Sequence, residues 1–225
     1  GLIRGSERYQ VVGIIDHQHA GKDAGELLDG NKRHLPIFED FESFHSSSVE
    51  ATYFIIGIAN TGGILDRDLF PTIQAAIRAG MDIVCGMHEP MAEIPELADL
   101  AAQYGVQLID VRRPKAREDL HFWTGEIDEV QCPIIPVMGT DCAVGKRTTA
   151  KMLVEAARGR GLKAEMIYTG QSGWMQGWKY GFILDSTVND FVAGELEHAI
   201  VSCYREVQPE IIFIDSLPWF VSSRC

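Results

Sequence analysis

The chain has 225 residues and carries 20 Lys and Arg against 32 Asp and Glu, a formal net charge of −12. That excludes a basic, phosphate-coating surface, because nonspecific DNA or RNA binding needs Lys and Arg to displace condensed counterions. No nucleic-acid partner is expected, and small acidic metabolites must be met by local donors. At 46% hydrophobic and 23% charged, the composition is that of a globular protein with room for a sizeable core and one to two domains. No segment approaches the roughly 20 uninterrupted apolar residues of a membrane span, and residues 1–8 do not form a secretion signal. The expectation is therefore a cytoplasmic protein with no membrane partner. Five cysteines, Cys85, Cys132, Cys142, Cys203 and Cys225, are an odd count without C-x-x-C spacing and read as free thiols.

Along the chain, short apolar runs alternate with helical patterns, which predicts parallel α/β layers. Val11 to Ile15 reads as a buried strand ending at Asp16, and Tyr53 to Ala59 as a second, followed by the turn-rich Asn60-Thr61-Gly62-Gly63. A helix then has Pro71 near its first turn and Ile73, Ala76 and Ile77 on one face, closing at Gly80. Met81 to Cys85 is the next strand. Leu97, Leu100, Ala101 and Tyr104 form a helical face stopped by Gly105, and Val106 to Val111 completes the series. The charged stretch from Arg112 to Gln131 breaks this rhythm and reads as a connection. Beyond it come a strand at Pro133 to Met138, a helix through Met152, Leu153, Ala156 and Ala157, and a strand at Ala164 to Tyr168. A helix from about Phe191 to Tyr204, with Asp190 as its cap, and a strand at Ile211 to Ile214 end the pattern. The domains so expected are 1–115, a linker at 116–131, and 132–225.

The sharpest chemistry lies in Gly139-Thr140-Asp141-Cys142-Ala143-Val144-Gly145-Lys146-Arg147-Thr148-Thr149, between an apolar strand and a helix. A strand feeding a glycine-containing turn into a helix N-terminus aims backbone N–H groups and the positive dipole end at one spot, which suits phosphate oxygens. Lys146 would reach the terminal phosphates. The generic G-x-x-x-x-G-K-[ST] pattern is not met, since five residues separate Gly139 from Gly145 and Arg147 takes the hydroxyl position. Thr148 or Thr149 then takes the metal role. Asp141 either faces Mg²⁺ or a substrate amine, or caps the loop backbone. Asp215, ending an apolar strand, is placed like an acid that holds Mg²⁺. Thr169-Gly170-Gln171-Ser172-Gly173, directly after a strand, suits a ligand crevice at the carboxyl edge of a parallel sheet. His88 follows a strand end where a general base can stand. Asp16 ends a strand as the ribose acid of a dinucleotide site does, yet the glycine fingerprint of such a site is absent, so NAD binding is not supported.

These residues resemble a two-domain phosphate-loop family, long labelled a domain of unknown function, that includes bacterial D-glutamate N-acetyltransferase. The resemblance is carried by the phosphate loop, by Thr169-Gly170-Gln171-Ser172-Gly173, by Asp190-Phe191-Val192-Ala193-Gly194 with Glu197, and upstream by Gly57 to Gly63, Ala79 to Glu89 and Asp110 to Pro114. The loop is also similar to that of dethiobiotin synthetase, and Gly57 to Glu89 to the coenzyme A-binding domain of succinyl-CoA synthetase. The fold implied is a Rossmann-like parallel-sheet domain followed by a P-loop NTPase-like parallel-sheet domain. Both are expected to be incomplete, because the family carries more sheet before Gly1 and after Cys225, and an acidic Gly-Gln stretch where this chain reads Asp215-Ser216-Leu217.

The activity implied is N-acetyl transfer to a small acidic amino acid such as D-glutamate. The phosphate loop, Gly139, Thr140, Gly145, Lys146, Arg147, Thr148 and Thr149, would bind ATP or a related nucleotide with Mg²⁺, or the phosphates of acetyl-CoA as acyl donor. Thr148 and Asp215 would hold the metal. The base is expected among His88, Asp141 and Asp215, and Arg112 or Arg113 would grip the substrate carboxylate. Two rivals stay open: an ATP-dependent ligase of the dethiobiotin synthetase type, and a nucleotide-binding regulatory module with little turnover. A homo-oligomer is compatible with each.

Overall fold

The computed structural model describes residues 1–58, 61–140 and 144–215. The chain divides into two compact units, Gly1–Arg113 and Pro114–Cys225.

In the first unit, β1 (Ile14–Ile15), α1 (Ala24–Asp29), β2 (Ile37–Phe38) and α2 (Phe41–His45) precede β3 (Tyr53–Ile55). Then come α3 (Phe70–Arg78), β4 (Asp82–Cys85), α4 (Pro95–Tyr104) and β5 (Leu108–Asp110). β1 pairs with β2, and β3-β4-β5 form a second sheet; every pairing is parallel. The helices α1 and α2 and the strand β2 are additions to the sequence reading, and local capping explains them. Asp23 accepts the Glu26 amide at the start of α1, and the same carboxylate takes the amides of Arg33 at 3.0 Å and Leu35 at 2.8 Å. One side chain thus starts the helix and fixes the returning chain. Asp40 and Ser43 close a capping box on α2, whose Phe41 and Phe44 join the core. α3 buries Phe70, Ile73, Ala76 and Ile77, α4 buries Leu97 and Ala101, and Gly105 ends α4 in a left-handed conformation, as the spacing predicts.

The second unit runs β6 (Ile134–Val137), α5 (Lys146–Arg158), β7 (Ala164–Tyr168), α6 (Gln171–Gln176), β8 (Tyr180–Gly181), α7 (Asn189–Val207) and β9 (Ile211–Asp215). Its parallel sheet has the order β6-β9-β7-β8. β6 lies at an edge, where Pro136 costs no central ladder bond. The sequence reading finds three strands here; the structure adds β8. A Cβ on Gly181 would fall 2.2 Å from the Tyr168 carbonyl oxygen, so the fourth strand can approach β7 only through a glycine. α5 buries Ala150, Val154 and Ala157 and leaves Met152 62% exposed. The cap expected of Asp190 is corrected: α7 starts two residues earlier behind Val188, without a side-chain cap, and Asp190 stands in its first turn.

Residues 116–131, expected as a linker, are bound to α7 within the second unit. Glu195, only 2% exposed, accepts from Lys115 Nζ at 2.7 Å and from the amide and Nδ1 of His121 at 2.9 and 2.8 Å. Glu197, equally buried, accepts from the Thr124 amide at 2.6 Å and the Ile127 amide at 3.1 Å. Burial pushes both carboxyls up, but these donors outweigh it and hold them below the usual range. The segment passes directly over Gly194, where a Cβ would meet the His121 carbonyl oxygen at 2.1 Å. The rings of His121 and His198 stack with centroids 3.5 Å apart.

Candidate functional site

The phosphate loop leaves β6 at Val137 and enters α5 at Lys146, with Gly145 as the capping residue at φ 96° and ψ 11°. This left-handed turn needs glycine and lets the chain reverse into the helix. Gly139 has a separate role. A Cβ there would lie 2.7 Å from Val144 Cγ2 and 3.0 and 3.1 Å from Cγ and Cδ of Lys146. The lysine stem therefore folds back across the bare backbone of Gly139. Lys146 and Arg147 are half-buried, while Thr148 and Thr149 are exposed in the first turn of α5. Asp141, expected to face the metal or the amine, lies outside the described residues.

Sheet register brings Asp215 to this loop, since it pairs with Val137, the last residue of β6. Asp215 is 7% exposed, and among the described residues no donor hydrogen-bonds its carboxyl. Burial pushes its pKa up, opposed by the charges of Arg147 and Lys146. A buried carboxyl without a donor needs a cationic or protic partner. The Thr169 hydroxyl donates to the Asp215 carbonyl oxygen and ties the end of β9 to the exit of β7. Thr169, Gly170, Gln171 and Ser172 are thus brought to the same carboxyl edge. Of the stretch Thr169 to Gly173 read from sequence as a ligand crevice, Gln171, Ser172 and Gly173 lie in the helix α6 behind Gly170. Gly173 allows this, because a Cβ there would sit 2.3 Å from Cβ of Tyr168.

The donor chemistry fits a phosphate: a lysine over a glycine, an arginine beside it, and a helix N-terminus. The undonated carboxyl of Asp215 also suits a cation, and Thr148 offers an exposed hydroxyl in the first turn of α5. Among the described residues no group of three or more His, Cys, Asp or Glu gathers as a metal site.

The other predicted residues lie in the first unit, at the carboxyl end of its three-stranded sheet. Arg112 Nε donates to the Gly86 carbonyl at 2.7 Å, and its Nη1 stands 3.0 Å from His88 Nε2. The His88 amide bonds the Gly63 carbonyl at 2.8 Å, and its ring rests against Gly63. Arg113 is exposed and bonds the Asp110 carbonyl through its amide, so the structure brings Arg112 and not Arg113 to His88. Asp110 caps the turn at Met91 and Ala92. Asp16 is engaged by His19 Nδ1 at 2.7 Å and by the Gln18 amide. The thiols of Cys85 and Cys203 are raised by burial to about 11 and about 12, which leaves them unreactive. Among the described residues no helix is long and apolar enough to cross a membrane.

The sequence reading passed over Glu195 as a functional candidate and took Glu197 only from a resemblance. Both are buried on α7.

Comparison with known proteins agrees with this division. The family model described as domain of unknown function DUF1611, P-loop domain, matches residues 121–216, and the DUF1611 N-terminal Rossmann-like domain matches residues 17–114. D-glutamate N-acetyltransferase of a Pseudoalteromonas species is 32% identical over 152 residues, covering 68% of this chain and 44% of that protein. The protein of the same name from Tritonibacter scottomollicae is 32% identical over 148 residues, 66% of this chain and 43% of its own. The chain thus spans under half the length of the curated relatives it matches. The crystal structure of a DUF1611 family protein from Anabaena variabilis ATCC 29413 superposes with a TM-score of 0.85 at 32% identity, covering 100% of this chain and 63% of that one. A Rossmann-like unit of parallel strands followed by a P-loop unit, matched in this order by both family models, makes this chain a member of the two-domain DUF1611 family.

Proposed function

We propose that the chain belongs to an enzyme that binds phosphates in its P-loop and transfers an acetyl group to the amino group of a small acidic amino acid such as D-glutamate. The observation that carries this reading is Lys146 laid over Gly139 beside the buried carboxyl of Asp215, and the printed names of the two curated relatives support the reaction class. Lys146, Arg147 and the amides of the loop and of Thr148 would bind the phosphates of acetyl-CoA or of a nucleotide. The substrate ammonium first loses a proton to a base, His88 or Asp215. Its nitrogen then forms a bond to the thioester carbonyl carbon, the carbon–sulfur bond breaks, and coenzyme A leaves as the thiol. In the first unit Arg112 would take a carboxylate; in the second, Thr169, Gly170, Gln171 and Ser172 would line the crevice at the end of β7.

A second reading is an ATP-dependent ligase, favoured by the buried, undonated carboxyl of Asp215, a group suited to Mg²⁺. Incubation with acetyl-CoA and D-glutamate, with and without ATP and Mg²⁺, separates the two by mass spectrometry. N-acetyl product without ADP is expected. ADP accumulating without that product would overturn acetyl transfer in favour of the ligase, and slow hydrolysis stimulated by a partner would favour a regulatory module.

A further inference from the structure

We propose that the carboxyl end of β3, β4 and β5 is a binding site for a zwitterionic amino dicarboxylate, with Arg67 and Arg112 taking its two carboxylates and Glu89 its ammonium. The proposal rests on the reading of an acidic amino acid as acceptor, and assigns the residues that recognise it. Two of them, Arg67 and Glu89, are not among the residues expected from sequence to bind the acceptor.

The charged groups here are anchored to the protein by contacts of their own. Arg112 is pinned through Nε to the Gly86 carbonyl at 2.7 Å, which sets the plane of its guanidinium where β4 ends. Its Nη1 meets His88 Nε2 at 3.0 Å, and because a guanidinium only donates, the imidazole nitrogen is the acceptor in that contact. The imidazole is held by the Gly62–Gly63 turn, both glycines having left-handed φ, with the place of a Gly63 Cβ only 2.3 Å from His88 Cδ2. Glu89 is anchored by the Leu65 amide on Oε2 at 3.0 Å. Arg67 stands across from it, its guanidinium 4.6 Å above the Phe70 ring and its Nη2 3.9 Å from Glu89 Oε1.

That last separation decides the matter. At 3.9 Å the Arg67–Glu89 pair is beyond hydrogen-bond length, and the Arg67 side chain is 65% exposed, so the pair is worth little in water and yields readily to a ligand that satisfies both charges. Two cations and one carboxylate complement a ligand with two carboxylates and one ammonium. The place agrees with where open parallel sheets bind ligands, beyond the carboxyl ends of their strands.

Calorimetric titration of the whole chain with D-glutamate, D-glutamine and glutarate, with and without coenzyme A, tests the assignment. D-glutamate is expected to bind at least about tenfold more tightly than D-glutamine, which lacks one carboxylate, or glutarate, which lacks the ammonium. Arg67→Gln, a change at an exposed side chain that leaves the core intact, should abolish the preference over D-glutamine. Glu89→Gln keeps an acceptor for the Leu65 amide and should abolish the preference over glutarate. No binding of D-glutamate under either condition, or preferences unchanged in both variants, would overturn the site. Binding without acetylation would refute the transferase reading and leave the site standing. Acetylation with an unchanged KM for D-glutamate in both variants would sink the site and leave the transferase reading.

Discussion

Replacing Glu195 by alanine removes the acceptor that holds residues 115–121 against α7. Three donors lose their partner: Lys115 Nζ, His121 Nδ1 and the His121 amide. The Lys115 and His121 side chains are 47% and 40% exposed, so water replaces those bonds, and each pair contributes at most about 1 kcal/mol. The amide differs, because its backbone is pressed against Gly194, with the His121 carbonyl oxygen and the Phe122 carbonyl carbon 2.1 and 2.4 Å from where a Cβ would be. An amide that loses a charged acceptor there costs about 1.5–3 kcal/mol. The combined loss is about 2–5 kcal/mol, which lowers the urea midpoint of the second unit by about 1–2 M for an ordinary slope. Urea unfolding followed by circular dichroism gives the midpoint, and amide hydrogen exchange gives the protection of His121. Glu195→Gln, keeping one acceptor oxygen, should fall between alanine and the natural chain. A midpoint within about 0.3 M of the natural one, with the His121 amide equally protected, would refute the claim that α7 holds this segment.

Gly139→Ala places a methyl 3.0 Å from Lys146 Cγ and displaces the lysine stem; coenzyme A or ATP affinity should fall about tenfold or more by calorimetry while the melting temperature barely moves. Asp215→Asn should stabilise the unliganded protein. With its pKa raised by burial, the natural carboxyl costs stability as pH rises from the free value of about 3.9 toward the raised one, and that cost persists at neutral pH. The variant's melting temperature should therefore be higher at neutral pH and flatter with pH in calorimetry, while turnover is lost. Asp23 has the opposite sign. Its carboxyl is lowered to about 2, first by the Arg33 amide and then by that of Glu26, so its contribution is full above the free value of about 3.9 and is lost as pH falls through about 2. Asp23→Asn should flatten the acid limb of a melting-temperature profile, and an unchanged limb would argue against this cap.

The alternation of apolar runs with helical periods was legible in the sequence because periodicity, caps and glycine stops act within a few residues of one another. Ile73, Ala76 and Ile77 lie buried on α3, Gly105 ends α4 as read, and the phosphate loop sits between β6 and α5 where strand, glycine and lysine placed it. Short-range signals also explain what slipped past: β2 and β8 are two residues each, too brief for any period to register. Family and fold were visible because the loop motif requires one strand–turn–helix context, and that context was written around it.

Tertiary structure decided what depends on residues far apart in the chain. Charge composition made 116–131 look like a connection, yet two buried glutamates some seventy to eighty positions away bind it to α7. Arg112 and Arg113 are neighbours of one chemistry, and only the direction of the chain leaving β5 puts the first against Gly86 and His88 and the second in solvent. The pairing of Val137 with Asp215 was hidden for the same reason, since a parallel sheet joins strands through helices and its register is set by packing rather than by the turn between them. Sequence alone thus determined which elements form and where a phosphate can bind; the fold determined which charges face one another, because burial and distance exist only once the chain has closed on itself.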